Sequence, residues 1–443
     1  MHSKKMTTAD TLGLGFMTFA FFLGAGNLIF PPLAGHLAGE NMTLAMLGFL
    51  ITAVTLPLMT LIAVAKANGK MMTLLPPVVA TLLGLAIYII LGPAFALPRA
   101  GLVAYEMGFK PFLSDSAATF MLAGVTFNVS QLLYSLLFFS CAMLLALYPG
   151  KLLDSVGKVL TPIMLFLLVI LAFSVFMQPD AQIGGAVGEY QSSPLVKGIL
   201  EGYNTMDTLA AMVFGILIID ILRRKGVSDI KEQTHYLIKA ALLAAAGLSF
   251  VYFSLFHLGA TAGEIAKGAD NGGVILTNYV ANEFGALGQI LLATVVTLAC
   301  LTTVIGLVTA CSEFFHEQFP RCSYRSFVVL SSLTCATVAN VGLAQLISIS
   351  VPVLYTIYPV IIALVFVTLL NQKFVNPRMC HRFVLGVAFI FGCIDGLKAC
   401  GIDMSLVDFM PLYSEGMAWL LPTAIAIVAC MFVKKPAEQI AVN

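Results

Sequence analysis

The chain has 443 residues, of which 60% are hydrophobic and only 10% are charged. A soluble domain carries roughly 25% charged residues, so this composition excludes an ordinary soluble protein and predicts one embedded in lipid. The formal net charge of +1 excludes the broad basic surface that nucleic-acid binding requires. The nine cysteines form no C-x-x-C pair, and we expect them to pack as small apolar side chains.

Apolar stretches of about 20 residues, the length that crosses a bilayer, recur along the whole chain. The sequence therefore predicts an all-α polytopic membrane protein with about 12 transmembrane helices in a single transmembrane domain over 1–443. The predicted spans lie near 11–35, 43–66, 74–98, 119–147, 156–177, 201–222, 235–259, 286–315, 326–343, 344–371, 382–399 and 416–433.

Most of the 23 Lys and Arg residues fall in alternate connections between these spans. The connections on the other side hold only Arg99, Lys110, Lys197, Lys267 and Lys398. Because Lys and Arg concentrate in cytoplasmic loops, this asymmetry predicts an even number of spans with both termini in the cytoplasm.

The first predicted span contains Gly24, Gly26, Pro31 and Pro32 within an otherwise continuous apolar run. Glycine destabilises a helix by about 1 kcal/mol relative to alanine and proline by about 3 kcal/mol, so we expect an interruption here. Unpaired backbone groups at membrane depth are tolerated only around a cavity, and an interrupted span is typical of secondary transporters. Alternatively, the glycines serve only close helix packing.

The sixth predicted span begins with the polar residues Asn204, Thr205, Asp207 and Thr208. Spans one and six are separated by five crossings, so they run in opposite directions and their midpoints face each other. This predicts a 5+5 inverted repeat with broken helices 1 and 6, the repeats covering about 8–178 and 198–371, followed by two extra C-terminal helices within about 381–434.

Two broken spans would expose half-helix termini that can bind the two charged groups of a zwitterion. The second half of span one would begin near Gly26 and present free N–H groups with the positive end of the helix dipole, which suits a carboxylate. The other half-helix ends are electronegative and suit an ammonium group or a cation. We therefore expect an amino acid as ligand, and apolar neighbours such as Phe22 and Phe214 favour an aliphatic side chain.

Span eight carries adjacent hydroxyls at Thr302 and Thr303. Oxygen ligands suit a hard cation, and the carbonyls of Ala20, Leu23 and Ala299 would complete a set of five neutral oxygens around sodium. The alternative is that each threonine hydroxyl bonds the carbonyl four residues earlier in its own helix.

Two further charges lie within apolar sequence. Asp207 is a functional candidate, since an intramembrane carboxylate costs about 2.5 to 3.5 kcal/mol on insertion scales. It has three interpretations, as a substrate ligand, a proton carrier or a cap for the helix that follows. Arg99 comes after Pro98 at the end of span three, and we expect it to pair with Glu106 in a structural contact.

Five motifs resemble the BrnQ-type branched-chain amino acid:cation symporters, in order and over nearly the whole chain. They are GAGNLIFPP (24–32), GPAFALPR (92–99), LYPGKLLD (147–154), GYNTMDTL (202–209) and SVPVLYTIYP (350–359). The resemblance implies a carrier that imports leucine, isoleucine and valine across the bacterial inner membrane. Sodium, or in some members protons, would drive the import.

The motif GAGN at 24–27 is also similar to the broken first helix of LeuT-fold transporters, and Leu301-Thr302-Thr303 is similar to the Leu-Thr-Ser of their eighth helix. Asn27 matches a ligand of a second sodium site in that fold. In span six, only Phe214-Gly215 aligns with the unwound segment. The LeuT-like resemblance implies a sodium site at Ala20, Leu23, Ala299, Thr302 and Thr303, and a substrate carboxylate at Gly24, Ala25 and Gly26.

These patterns together predict a secondary active transporter that carries branched-chain amino acids by symport with Na+ through alternating access. Phe22, Thr205, Asp207 and Phe214 complete the candidate substrate site. The alternative is an H+-coupled symporter of another neutral amino acid. No enzyme motif such as G-x-S-x-G or H-E-x-x-H occurs, and no cofactor beyond the coupling ion is expected. The expected partners are the small substrate and the lipid bilayer, and no oligomeric state follows from the sequence.

Overall fold

A computed structural model describes residues 5–113, 119–122, 125–148, 153–176, 183–402 and 407–432. Within these ranges the chain is almost entirely helical. The helices are α1 (Thr8–Phe22), α2 (Ala25–Ala38), α3 (Met42–Leu50), α4 (Leu56–Lys66), α5 (Pro77–Ile89), α6 (Ala96–Gly108), α7 (Val129–Ala146), α8 (Thr161–Phe176), α9 (Pro194–Tyr203), α10 (Asp207–Arg224), α11 (Ile230–Thr261), α12 (Gly272–Gln318), α13 (Tyr324–Val338), α14 (Leu343–Leu369), α15 (Pro377–Ala399) and α16 (Leu420–Phe432). Wider π-helical turns cover Ile51–Thr55, Ile90–Ala94 and Leu153–Leu160.

The first span is interrupted between α1 and α2, as predicted. Leu23 leaves the helical region with ψ 80°, and Gly24 is extended with φ −109° and ψ −165°. The break is confined to Leu23 and Gly24, because Pro31 and Pro32 lie inside α2 and do not end it. Gly24 also allows a close approach, since a Cβ there would lie 3.1 Å from the Thr303 side chain.

The sixth span is interrupted between α9 and α10, which meet at an angle of 42°. The break occupies the residues just after Tyr203, and Met206 takes a left-handed conformation with φ 64°. Phe214 and Gly215, where the resemblance placed the unwinding, lie instead inside α10. That alignment was wrong because it looked for glycine at the break. The left-handed turn is made instead by Met206, a buried non-glycine residue that the surrounding structure holds in this conformation.

The third span is also interrupted, which the sequence analysis did not anticipate. After α5 the backbone widens over Ile90–Ala94, and Gly92 leaves the helical region with ψ −121°. Pro93 lacks an N–H and Phe95 has φ −134°, so a new helix, α6, begins at Ala96. The span therefore continues to Gly108, ten residues beyond its predicted end.

The predicted fourth span begins later than expected. Thr119–Leu122 and Val125–Asn128 pair as an antiparallel hairpin, β1 and β2, and α7 starts only at Val129. The two strands contain Thr, Val and Phe, residue types that favour an extended backbone. It is a two-stranded addition to an otherwise confirmed helical fold.

Helix α2 is clamped between long helices by small residues. Gly35 of α2 lies against the backbone of Phe256 in α11, and Gly259 of α11 lies against Pro32 of α2, so neither position has room for a Cβ. Small residues allow this close approach in membranes. These contacts fix the second half of α2 against α11.

Eight helical stretches of the described residues are long and apolar enough to cross a membrane, and the bent α9–α10 pair would make a ninth. Helix α16 is apolar but shorter. The polytopic helical class is thus confirmed, while the count of about twelve crossings and the inverted repeat stay predictions.

Candidate functional site

A small cavity of about 30 Å³ lies where the breaks of the first and sixth spans meet the start of α6. Residues from both breaks line it, and α12 closes one side. The lining residues are Phe21, Phe22, Gly24, Ala25, Gly26, Asn27, Leu91, Ala96, Arg99, Ala100, Thr205, Met206, Asp207, Ala210, Thr303 and Leu307. The structure therefore brings most of the predicted substrate residues to one place.

Phe214 is the exception among these residues. It does not line the cavity, but its ring stacks on Phe21 with centroids 5.0 Å apart and meets the edge of Phe22 at 5.5 Å. Phe214 thus supports the aromatic wall of the cavity from behind.

Asp207 is the first residue of α10 and is only 2% exposed. Its carboxylate accepts hydrogen bonds from Asn27 Nδ2 at 2.6 Å and from the Tyr252 hydroxyl at 2.9 Å, and Asn27 Nδ2 also bonds that hydroxyl. Asn27 Oδ1 accepts from Gly24 N at 3.0 Å. This network joins the two broken helices to α11, and Tyr252 was missed because nothing in its apolar surroundings marks it.

The predicted role of Asn27 as a ligand of a second sodium stays a prediction. Its amide nitrogen is used by Asp207 and Tyr252, and its amide oxygen caps the first turn of α2 through Gly24 N. This bonding accounts for why an asparagine stands at the start of α2.

Four of the five predicted sodium ligands lie together between α1 and α12. The Thr302 hydroxyl lies 3.2 Å from Ala20 O and 3.0 Å from Ala299 O, and the Thr303 hydroxyl lies 3.1 Å from Ala20 O. Leu23 is fully buried at the end of α1, next to the break. The Thr302 hydroxyl is therefore shared between its own helix and α1, whereas the Thr303 hydroxyl bonds α1 rather than the carbonyl four residues earlier.

Arg99 does not pair with Glu106, so that prediction was wrong. Its guanidinium lines the central cavity, and Nη1 donates to Asn204 O at the end of α9 over 2.8 Å. The interruption of span three turns α6 inward and brings Arg99 to the two breaks. The available signal was an isolated arginine inside an apolar motif, which marks a functional candidate in membranes.

A larger cavity of about 360 Å³ lies between α4, α5, α10 and α12. Met212 and Val213 line it, and Asp220, Glu313 and Lys70 are among its polar lining residues. Asp220 pairs with Arg223 at 3.0 Å and Glu313 with Arg224 at 2.6 Å. We refer to this cavity as the vestibule, and the basic residues Arg223 and Arg224 lie next to its acidic lining residues.

Comparison with known proteins agrees with this geometry. Residues 7–437 match the family described as branched-chain amino acid transport protein. The chain is 46% identical over 442 residues to the branched-chain amino acid transport system 2 carrier protein of Pseudomonas aeruginosa, with 98% of each chain covered. It is 41% identical over 432 residues to the branched-chain amino acid permease BrnQ of Escherichia coli, with 96% of each covered.

Among solved structures, the fold is similar to that of a Na+-coupled sialic acid symporter in its substrate-bound outward-open state. The TM-score is 0.58 at 13% identity, covering 96% of this chain and 90% of the other. The fold is thus one that membrane transporters use. The chain belongs to the branched-chain amino acid transport protein family. Both the predicted resemblance and the prediction of a carrier rather than an enzyme are confirmed.

Proposed function

We propose that this protein imports leucine, isoleucine and valine by symport with Na+ through alternating access. Membership of the family supports the substrate class. The observation that carries the choice of ion is the contact of both Thr302 and Thr303 on α12 with the carbonyl of Ala20 on α1, just before the break of the first span.

The cation site would consist of neutral oxygens only. The hydroxyls of Thr302 and Thr303 already lie within 3.2 Å of carbonyl oxygens. Thr302 contacts both Ala20 and Ala299, and Thr303 contacts Ala20. Sodium would replace these hydrogen bonds with oxygen–metal contacts, and the carbonyl of Leu23 would supply a fifth ligand. Because the site bridges α1 and α12, ion binding would change how these helices pack.

The substrate would lie across the central cavity. Its carboxylate would face the free amides at Ala25 and Gly26, where the dipole of α2 is positive, and its ammonium group would face Asp207. Phe22 would contact the aliphatic side chain, and Thr205 would lie beside the polar end. A cavity of about 30 Å³ holds about one water molecule, so leucine binding requires the surrounding helices to separate.

The decisive experiment is leucine uptake into proteoliposomes with sodium and pH gradients imposed separately. We expect an inward sodium gradient to drive accumulation at equal pH on both sides. Accumulation driven by a pH gradient without sodium would contradict the assignment of the ion.

A second candidate is symport of H+ with a neutral amino acid. It is favoured by the buried carboxylate of Asp207, which accepts from Tyr252 and Asn27 and which no cation pairs among the described residues. The same uptake experiment separates this candidate from sodium coupling.

The arrangement in the membrane is part of the proposal. We place the protein in the bacterial inner membrane with both termini in the cytoplasm, so that the vestibule beside Arg223 and Arg224 faces the cytoplasm. The paired breaks in spans one and six are what an inverted repeat would produce.

A further inference from the structure

Arg99 is a buried cation at the meeting point of three interrupted spans. It is 3% exposed and lines the central cavity together with the first turns of α2 and α10. Burying a charge in this way is unfavourable unless hydrogen bonds or an opposite charge compensate it. The contacts of Arg99 therefore indicate what it is there to hold.

The guanidinium is only partly satisfied by the protein. Nη1 donates to Asn204 O at 2.8 Å, and the ring of Phe30 covers the group with its centroid 5.5 Å from Cζ. Nε has no hydrogen-bond partner among the described residues. Arginine carries five N–H donors in a planar fork that matches a carboxylate, so donor capacity remains.

The fork lies against the proposed carboxylate position. A Cβ at Gly26 would lie 2.8 Å from Arg99 Nη2, so the guanidinium is packed directly onto the backbone of the first turn of α2. The N–H groups of this turn carry the partial positive charge of the helix dipole, and the guanidinium carries a full positive charge. Two positive groups converging on one small cavity are expected to attract an anion.

The break in span three is what makes this placement possible. Gly92 and Pro93 interrupt the helix, and α6 restarts at Ala96 with Arg99 in its first turn. Asp207 faces the same cavity, so the cavity has one cationic and one anionic residue. That charge pattern is complementary to a zwitterion.

We propose that Arg99 binds the carboxylate of the substrate, between its guanidinium and the first amides of α2. This inference rests on the proposed amino-acid transport and adds a residue to its binding site. A carboxylate there would take up the donor at Nε and place the ammonium group toward Asp207. Arg99 would thereby select α-amino acids over amines that lack the carboxylate.

The test compares leucine with leucinamide, which keeps the ammonium group and the side chain but has no negative charge. Inhibition of radiolabelled leucine uptake by each compound is measured for the wild type, Arg99→Gln, Arg99→Lys and the control Arg325→Gln. Arg325 is exposed near the start of α13. Gel filtration and sodium-dependent thermal stability establish that each variant is folded.

We expect Arg99→Gln to lose about 10- to 100-fold in leucine affinity, the effect of a lost hydrogen bond to a charged group, with leucinamide affinity unchanged. The preference for leucine then collapses. Arg99→Lys keeps the charge without the fork and should show an intermediate preference, and Arg325→Gln should match the wild type.

A wild-type preference in Arg99→Gln would overturn the inference, and so would an equal loss for both compounds, which a merely structural arginine would produce. If Arg99→Gln does not fold, Arg99→Lys decides, since an unchanged preference in that variant also overturns the inference. The proposed function fails separately, when the wild type itself shows no sodium-driven leucine uptake.

Discussion

Thr302 and Thr309 lie on the same helix and show two different uses of a buried threonine. The hydroxyl of Thr309 bonds the carbonyl of Ile305 one turn earlier at 2.8 Å, the ordinary behaviour of threonine in a helix. Thr302 also bonds a carbonyl of its own helix, that of Ala299, but its hydroxyl reaches Ala20 on α1 as well. Both are fully buried, so burial does not explain the difference.

We therefore expect Thr302→Ala to weaken activation by sodium about tenfold, because one oxygen ligand is lost. The measurement is the sodium concentration that gives half-maximal leucine uptake. Thr309→Ala removes an equally buried hydroxyl and is the matched control, for which we expect a wild-type value. Equal sodium dependence in both folded variants would contradict the cation site.

The carboxylate of Asp207 allows a second prediction. Asp207→Asn removes the negative charge that faces the proposed ammonium group, and we expect a loss of about tenfold or more in both net uptake and leucine counterflow. If Asp207 instead carries a coupling proton, counterflow will survive and only accumulation will be lost.

Asp395 provides the control for Asp207. It is 1% exposed and accepts from the backbone amides of Ala418 and Trp419 at 3.2 and 3.4 Å, away from the cavity. Asp395→Asn should keep leucine transport within a few-fold of the wild type, since Asp395 does not line the cavity and an asparagine oxygen can still accept from one of these amides.

At the level of secondary structure, the site is formed by interrupted helices rather than by single side chains. The breaks at Gly24, Gly92 and Met206 each start a new helix, and the first turns of α2, α6 and α10 meet at the cavity. Proline has different effects in different places. Pro352 and Pro359 lie inside α14, which continues through both of them.

The contrast between these prolines gives a third prediction. Pro93→Ala restores an N–H and removes about 3 kcal/mol of helix destabilisation, so we expect span three to straighten and Arg99 to withdraw from the cavity. Leucine affinity should fall about tenfold, while the sodium affinity measured by thermal stabilisation should stay as in the wild type.

Pro352→Ala serves as the control for this change, because the helix there is already continuous. It should leave leucine binding unchanged. Wild-type leucine affinity in Pro93→Ala would show that the local break does not position Arg99.

The whole molecule combines a small central cavity with a larger vestibule beside Arg223 and Arg224. The central cavity has a volume of about 30 Å³ and the vestibule about 360 Å³, and Ala210 and Met212 of α10 line one each. A single helix thus separates the two spaces over less than one turn. Movement of α10 would join them, which is the exit step that alternating access requires.

The vestibule gives a prediction about sidedness. In a variant whose exposed Cys141, Cys322 and Cys400 are replaced by serine, Ile216→Cys in the vestibule should react with a membrane-impermeant thiol reagent only from the cytoplasmic side. Val187 is 55% exposed in the connection before α9, and Val187→Cys should react only from the side opposite the cytoplasm. Labelling is measured in inside-out and right-side-out vesicles, and the opposite pattern would reverse the proposed orientation.

The sequence by itself determined the helical membrane class, the break at Gly24 and the set of neutral oxygens on α12. Each of these depends on local properties, namely apolar length, glycine and the spacing of two threonines. The family resemblance came from the same motifs and is confirmed.

Only the tertiary structure placed Arg99 and Tyr252 at the site and the second break at Met206. Arg99 meets its partner Asn204 across 105 residues, and Asn27 meets Tyr252 across 225. Contacts this distant in sequence depend on how interrupted helices pack against one another. No local pattern of residues determines that packing, because glycine and proline interrupt the chain at some positions and lie within continuous helices at others.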